Sequence, residues 1–224
     1  MNKILASRWT KAAVFVLCLY PALNLAWALI FVAYLAPRGL QYPAEDLGAN
    51  PVEFITHRTG DWIIRFLMIT LSITPLRKLL NLPQLARHRR MLGLFAFFYG
   101  CCHLMTWAWL DKSFDWNEMG KDILKRKFIT VGMTALLLMI PLAITSTSGW
   151  VRRLGFVRWQ KIHRLIYFSA LAGVIHYYWL VKSDVRLPLM YGGILAVLMC
   201  YRLVVWLRSK GKQKRPATAV LRTS

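Results

Sequence analysis

Charged residues along this chain gather in short clusters and leave long stretches with none. Ala12 to Ala36, Met91 to Leu110 and Phe128 to Val151 each run for at least 20 residues without an Asp, Glu, Lys or Arg. An amphipathic soluble helix would interleave charges with apolar positions; unbroken apolar runs are the signature of membrane spans. At about 1.5 Å per residue, about 20 residues cross a hydrocarbon core of about 30 Å. Leu165 to Val181 is shorter and spans once its flanks are counted, and two further stretches each carry a single arginine, Arg65 or Arg202. The pattern therefore predicts six spans, roughly 12–36, 61–76, 91–110, 128–149, 164–181 and 187–207, in one membrane domain covering 1–224 with a basic tail over 208–224. Lys3, Arg8 and Lys11 before an apolar run, and Ala26-Trp27-Ala28 within it, mimic a secretory signal. The run continues past that point to Ala36, longer than a signal's apolar region, so it reads as an uncleaved first helix.

Charge adds orientation. The chain carries 30 basic and 9 acidic residues, a net charge of +21. The acids fall in three places: Glu45, Asp46, Glu53 and Asp61; Asp111, Asp115, Glu118 and Asp122; and Asp184. These follow spans one, three and five. The N-terminus, the segments after spans two and four, and the tail hold most of the basic residues and no acid. This is the positive-inside pattern, which predicts both termini in the cytoplasm. The basic excess is then a topology signal and a contact for anionic membrane lipid, with no nucleic-acid groove implied. The tail is too short for a nucleotide-binding or flavin-binding domain, so the protein is expected not to oxidise NADPH unaided.

Cys18, Cys101, Cys102 and Cys200 lie within spans without a CxxC spacing. They read as small packing residues, and Cys101-Cys102-His103 lacks the spacing of a covalent haem attachment. Trp107, Trp109, Trp150, Trp159 and Trp206 near span ends read as interfacial anchors. Pro75 and Gly149 mark expected helix ends, and no internal repeat is visible.

Four of the five histidines fall on two spans. His88 precedes the third span and His103 lies within it; His163 opens the fifth and His176 lies near its far end. An ionisable or ligating side chain inside a span is costly and marks a functional candidate. Neutral imidazole is also a natural axial ligand of haem iron. Spans three and five run parallel, so His88 shares a depth with His163, and His103 with His176. Two ligand pairs at two depths would hold two haems and give a two-step electron path across the membrane. Spacings of 15 and 13 residues do not return to one helical face, so a local distortion is expected, with Gly173 one place for it. Alternatively, the histidines bond other helices, and His88, within Arg87-His88-Arg89-Arg90, belongs to a solvated basic loop. His57, beside Arg58, reads as an outer-loop residue.

Arg65 follows Asp61 by four residues, the spacing of an intrahelical ion pair. Arg65 and Arg77 are also candidates to contact a propionate or flavin phosphate. Arg89, Arg90, Arg152 and Arg153 suit either an anionic cofactor or lipid headgroups. Thr145-Ser146-Thr147-Ser148 reads first as hydroxyls bonding back to the preceding turn and second as a cofactor contact. No acid lies deep within a span, which weighs against a proton-relaying transporter. The segment Asp111 to Lys127, with Phe114 and Trp116 among mixed charges, reads as an outer loop suited to a transient partner.

Several motifs occur together in order: Ile73-Thr74-Pro75-Leu76-Arg77, Arg89-Arg90-Met91-Leu92-Gly93-Leu94, His103-Leu104, Trp159-Gln160-Lys161-Ile162-His163-Arg164-Leu165-Ile166-Tyr167 and His176-Tyr177. In these the chain resembles the MsrQ family, from about Arg8 to Leu207, within the ferric-reductase-like transmembrane superfamily. The resemblance implies an all-α bundle in the bacterial inner membrane that binds haem b and FMN. It would serve as the electron-transfer subunit of a methionine sulfoxide reductase system, without a complete active site of its own. Electrons would come from a cytoplasmic flavin reductase or quinol and pass to a periplasmic molybdopterin enzyme, MsrP, that repairs oxidised methionine in envelope proteins. His103, His163 and His176 match the family's ligand positions for haem iron. His88 stays a candidate inner ligand, one haem or two stays open, and no motif marks the FMN residues. The alternative is a stand-alone ferric or quinone reductase cytochrome b.

Overall fold

The computed structural model describes residues 7–30 and 50–213, and among these every regular element is helical. In chain order they are α1 (Arg8–Ile30), α2 (Pro51–Leu79), α3 (Arg89–Met105), α4 (Trp116–Lys125), α5 (Lys127–Ile144), α6 (Ser148–Leu154), α7 (Phe156–Ile162), α8 (Leu165–Leu180) and α9 (Arg186–Gln213). A 3-10 turn, Pro83–Arg87, joins α2 to α3, and a π-helical turn, Thr106–Asp111, follows α3. Positions 31–36 of the expected first span, the acids Glu45 and Asp46, and the tail from Lys214 lie outside the described residues.

Two helix pairs build the bundle, α2 with α3 and α5 with α8; α9 packs on α8 and α2, and α1 on α3. Phe66 on α2 stacks between Phe95 and Tyr99 on α3, with ring centroids 5.9 and 5.4 Å away. Small residues lie along the α5–α8 seam: Gly132 packs on His176, Ser169 and Ala170 are fully buried, and Ser169 Oγ donates across the seam to the Ala135 carbonyl at 2.9 Å. Small residues let helix backbones approach closely where lipid removes the hydrophobic drive between helices. Large apolar side chains stay exposed on the outer helices, Leu17 at 71% and Val197 at 69%, as a lipid-facing surface requires.

Among the described residues, four segments are long and apolar enough to cross a membrane: Arg8–Ile30, Pro83–Asp111, Lys127–Ile144 and Arg186–Lys210. The second and fifth expected spans behave differently. α2 starts ten residues earlier than expected, because Asn50 caps it (its side chain accepts from Glu53 N at 3.2 Å) and Pro51 fits the first turn. Glu53 and His57 are thus helical rather than in a loop. α8 has 16 residues, fewer than a spanning helix usually needs.

Prolines inside spans are accommodated by side chains from neighbours. Pro21 interrupts α1, and there the fully buried Tyr99 hydroxyl accepts from Ala22 N at 3.0 Å and donates to the Cys18 carbonyl at 2.8 Å. It bridges the gap in the helical ladder. Pro75 lies within α2 instead of ending it, and the Leu71 carbonyl that its missing N–H cannot reach accepts from Arg202 Nη2 at 2.6 Å. That bond, with a second to Tyr167 Oη at 3.0 Å, accounts for an arginine within the last span.

Two further expectations change. The fourth helix ends at Ile144, short of Gly149, because Thr145 and Ser146 bond back to Pro141 and Leu142 and Thr147 caps the new helix α6. The segment between Asp111 and Lys127, expected to be a loop, holds a helix, α4, started by Asp115, whose carboxylate accepts from Asn117 N and Glu118 N at 2.9 and 3.0 Å.

Candidate functional site

The two helix pairs enclose a cavity of about 600 Å³, within the range of ligand pockets. His103 from α3 and His176 from α8 line it, their rings 6.1 Å apart between centroids and nearly perpendicular at 83°. Each ring is held the same way. His103 Nδ1 donates to the Thr56 carbonyl at 3.0 Å, with Thr59 Oγ1 at 3.3 Å; His176 Nδ1 donates to the Phe128 carbonyl at 2.7 Å. A carbonyl only accepts, so the proton sits on Nδ1 in both rings and Nε2 keeps its lone pair. This is the arrangement of metal-ligating histidines, whose second nitrogen is fixed by an outer hydrogen bond. The π-helical turn begins three residues after His103 and brings Trp107, Leu110 and Asp111 to the wall; such turns recur at functional sites.

The other two histidines lie beyond helix ends, which removes the difficulty of their spacing. His88 caps the 3-10 turn ahead of α3 and His163 sits between α7 and α8. α8 runs unbroken through Gly173. His88 is 6% exposed and neither ring nitrogen has a partner. His163 packs on Trp159 with centroids 4.1 Å apart, and its Nε2 lies 3.0 Å from Thr145 Oγ1. Thr145 already donates its own proton to Pro141, so it accepts from Nε2. Among the described residues no ring contact joins His88 to His163. Arg90 lies over the Trp159 ring at 5.1 Å, so both histidines sit at the same end of the bundle. Trp159 is buried, at 4% exposure, and bonds the Thr145 carbonyl at 2.8 Å; it supports His163 and is not the interfacial anchor expected.

Neither Arg65 nor Arg77 lines the cavity. Arg65 pairs with Asp61 at 3.3 Å, as the spacing predicts, and lies over the Trp62 ring. The cationic side chain on the wall is Arg126, paired with Asp122 at 3.3 Å; His57, also on the wall, lies 3.7 Å from Glu53. Sequence reasoning passed over Arg126 because it stands in a basic cluster. It also missed Gly60 and Gly132, packed on the His103 and His176 rings; for Gly132 a glycine inside an apolar helical run was the available signal.

A helical bundle in which two helix pairs each turn one histidine into a shared cavity defines a class of membrane protein. Residues 59–174 match the family described as ferric reductase like transmembrane component. Closer relatives are named protein-methionine-sulfoxide reductase heme-binding subunit MsrQ. That of Herminiimonas arsenicoxydans is 53% identical over 191 residues, covering 83% of this chain and 87% of the relative. That of Rhodospirillum rubrum is 46% identical over 210 residues, covering 94% and 95%, and that of Caulobacter vibrioides 48% over 185 residues, covering 82% and 86%. The chain belongs to the MsrQ family.

The relatives' name implies haem, and the donor set here fits it. Two histidines with free Nε2 atoms and fixed Nδ1 atoms are what a macrocycle leaves for a protein to supply. His103 and His176 would be the residues to hold the group, one from each helix pair. Among the described residues, no group of three or more His, Cys, Asp or Glu is arranged to hold a bare metal ion.

Proposed function

We propose that this protein is the electron-transfer subunit of a methionine sulfoxide reductase system, carrying haem b across the bacterial inner membrane. The observation that carries the reading is the ring pair: His103 and His176 meet in one cavity with each Nδ1 anchored on a backbone carbonyl. His103 and His176 would hold one haem b. His88 and His163 would hold a second at the other end, where Arg77, Arg89 and Arg90 supply positive charge for its propionates. When bound, haem supplies a one-electron ferric/ferrous couple. The chain's own task is to hold both imidazoles neutral and oriented before the iron changes charge, and to keep water from the buried path.

Six spans follow from reading α1, α2, α3, α5, α8 and α9 as crossing, with α8 completed by its flanks and the charge bias placing both termini in the cytoplasm. The His103–His176 pair then lies toward the periplasm. Electrons enter from a cytoplasmic flavin reductase or quinol, with FMN as a further carrier, and leave to the periplasmic molybdopterin enzyme MsrP. Phe114 and Trp116, 41% and 75% exposed beside the outer end, suit a transient contact with it. Asp115 and Glu118 are occupied in capping α4 and pairing with Lys112, so their reversal would unsettle that helix as well as any partner.

The test is to reduce the purified protein, add MsrP with methionine sulfoxide, and follow reoxidation of the haem. Reoxidation is expected to be much faster than with methionine sulfoxide alone. Equal rates would defeat the partner assignment, and a colourless purified protein would defeat the electron-carrier reading altogether.

A further inference from the structure

The two outer histidines are seated by the same device on two different helix pairs. In α2 the carbonyl that accepts from His103 belongs to Thr56, and four residues later Gly60 lies against the same ring; a Cβ on Gly60 would stand 3.3 Å from His103 Cε1 and 3.5 Å from Nδ1. In α5 the carbonyl that accepts from His176 belongs to Phe128, and four residues later Gly132 lies against that ring; a Cβ there would stand 2.6 Å from Nδ1 and 2.9 Å from Cε1. The separation from carbonyl to histidine is 47 residues in one pair and 48 in the other. Each glycine sits one helical turn beyond the accepting carbonyl, so the ring edge that carries Nδ1 lies against the turn that bonds it.

We infer that Gly60 and Gly132 are positioning residues for the haem ligands: each leaves the gap through which an imidazole reaches the helix backbone, and together they set the crossed orientation of the two rings. The inference rests on the reading of His103 and His176 as axial ligands. A side chain at Gly132 meets three ring atoms within 3.1 Å, and the ring is pinned by its own bond to Phe128 and cannot swing away as a flexible chain end would. The ring must rotate or leave its carbonyl. Either change alters the angle between the imidazole planes, now 83°. Losing the Nδ1 bond also makes the imidazole a poorer electron donor to a metal. At Gly60 the contact is looser, so the same change is smaller.

The structure supplies its own control. A Cβ on Gly192 would meet Val174 Cγ1 at 3.6 Å, a contact between α9 and α8 that touches no histidine and lies off the cavity wall. The experiment is to purify Gly132→Ala, Gly60→Ala and Gly192→Ala in the haem-loaded state and record the low-spin EPR signal and midpoint potential of each. Gly132→Ala is expected to shift or split the low-field EPR feature and to raise the potential. Gly60→Ala is expected to do the same to a smaller extent, and Gly192→Ala to match the parent. Gly132→Ala with parental EPR and potential overturns the inference, as does an equal shift in Gly192→Ala. Should Gly132→Ala not fold, Gly60→Ala decides: a shift supports the inference, and none overturns it. His176→Ala, measured beside them, is the separate check on the ligands, since a parental spectrum there would sink the axial assignment whatever the glycines do.

Discussion

The two ends of the bundle treat their histidines in opposite ways. At one end His103 and His176 are brought into ring contact, and both use Nδ1 to grip a backbone carbonyl and leave Nε2 free. At the other end His88 is buried with both nitrogens unpartnered, while His163 has Nε2 engaged by Thr145. Both inner residues stand on turns beyond helix ends, and both outer residues sit inside helices. Helical residues inherit their direction from the packing of whole helices, so the outer geometry is fixed as soon as α2–α3 and α5–α8 assemble. The inner pair has no such frame. A buried imidazole without partners costs roughly 1–3 kcal/mol for each unmet group, a cost that a ligand supplying those bonds would remove.

The largest expected effect tests this contrast directly. His103→Ala and His176→Ala should each abolish the outer low-spin haem and most of its Soret band. His88→Ala and His163→Ala should each remove one of two haems while the outer low-spin EPR signal persists. Haem content per protein, from a pyridine haemochrome assay beside protein quantitation, measures this. An unchanged ratio in both inner variants would mean a single haem and an inner end with another task.

The outer pair was legible in the sequence because a histidine within an apolar span has few bland explanations, and the parallel course of spans three and five set the two at one depth. The inner pair was legible only as residue types. Their spacing was judged on an ideal helix, and the chain leaves the α-helix at Pro83–Arg87 and again at His163. The prolines misled for a related reason: Pro75 was read as a helix end, whereas Arg202, 127 positions further on, takes over the carbonyl Pro75 leaves free. A bond between residues so far apart leaves no trace in local pattern. Helix α4 was missed because mixed charges suggested a loop, although Asp115 followed three residues later by Glu118 is the capping signature.

A middle-sized effect separates the two roles open to His163. Thr145→Val removes the acceptor of the His163 Nε2–H while the Thr145 backbone carbonyl still holds Trp159. In haem-free protein the lost bond should cost about 1–3 kcal/mol, seen as lower thermal stability. If His163 turns to iron when haem binds, the haem-loaded variant should lose little against the loaded parent. An equal loss in both states would show that His163 keeps its bond to Thr145 and is not a ligand.

The smallest expected effect on the haem concerns the cap over the outer end. Lys112, with 9% of its side chain exposed, reaches Glu118 at 2.7 Å, Asp122 at 3.1 Å and Asp111 at 3.5 Å. Its hydrogen bond to Glu118 and the carboxylates around it hold its pKa above the ordinary lysine value. A raised pKa means the stabilisation is complete below the unfolded value of about 10.4 and is lost only as pH rises through the folded one. At neutral pH the cluster is therefore fully formed, and α4 is tied to the π-helical turn that lines the cavity. Lys112→Met would leave three carboxylates facing one another with Arg126 as the remaining cation near Asp122, at 3.3 Å. Mutual repulsion should lift α4 and expose Lys121 and Lys125 to protease. The ligand rings, anchored on α2 and α5, should keep their spectrum. Tryptic cleavage within Trp116–Lys125, followed by mass spectrometry, is the measurement, with the Soret band recorded in parallel. Cleavage no faster than in the parent would show that the Asp115 cap and the burial of Met119 hold α4 without the lysine. A loss of the Soret band would show that the outer ligand geometry depends on the cap as well as on its helices.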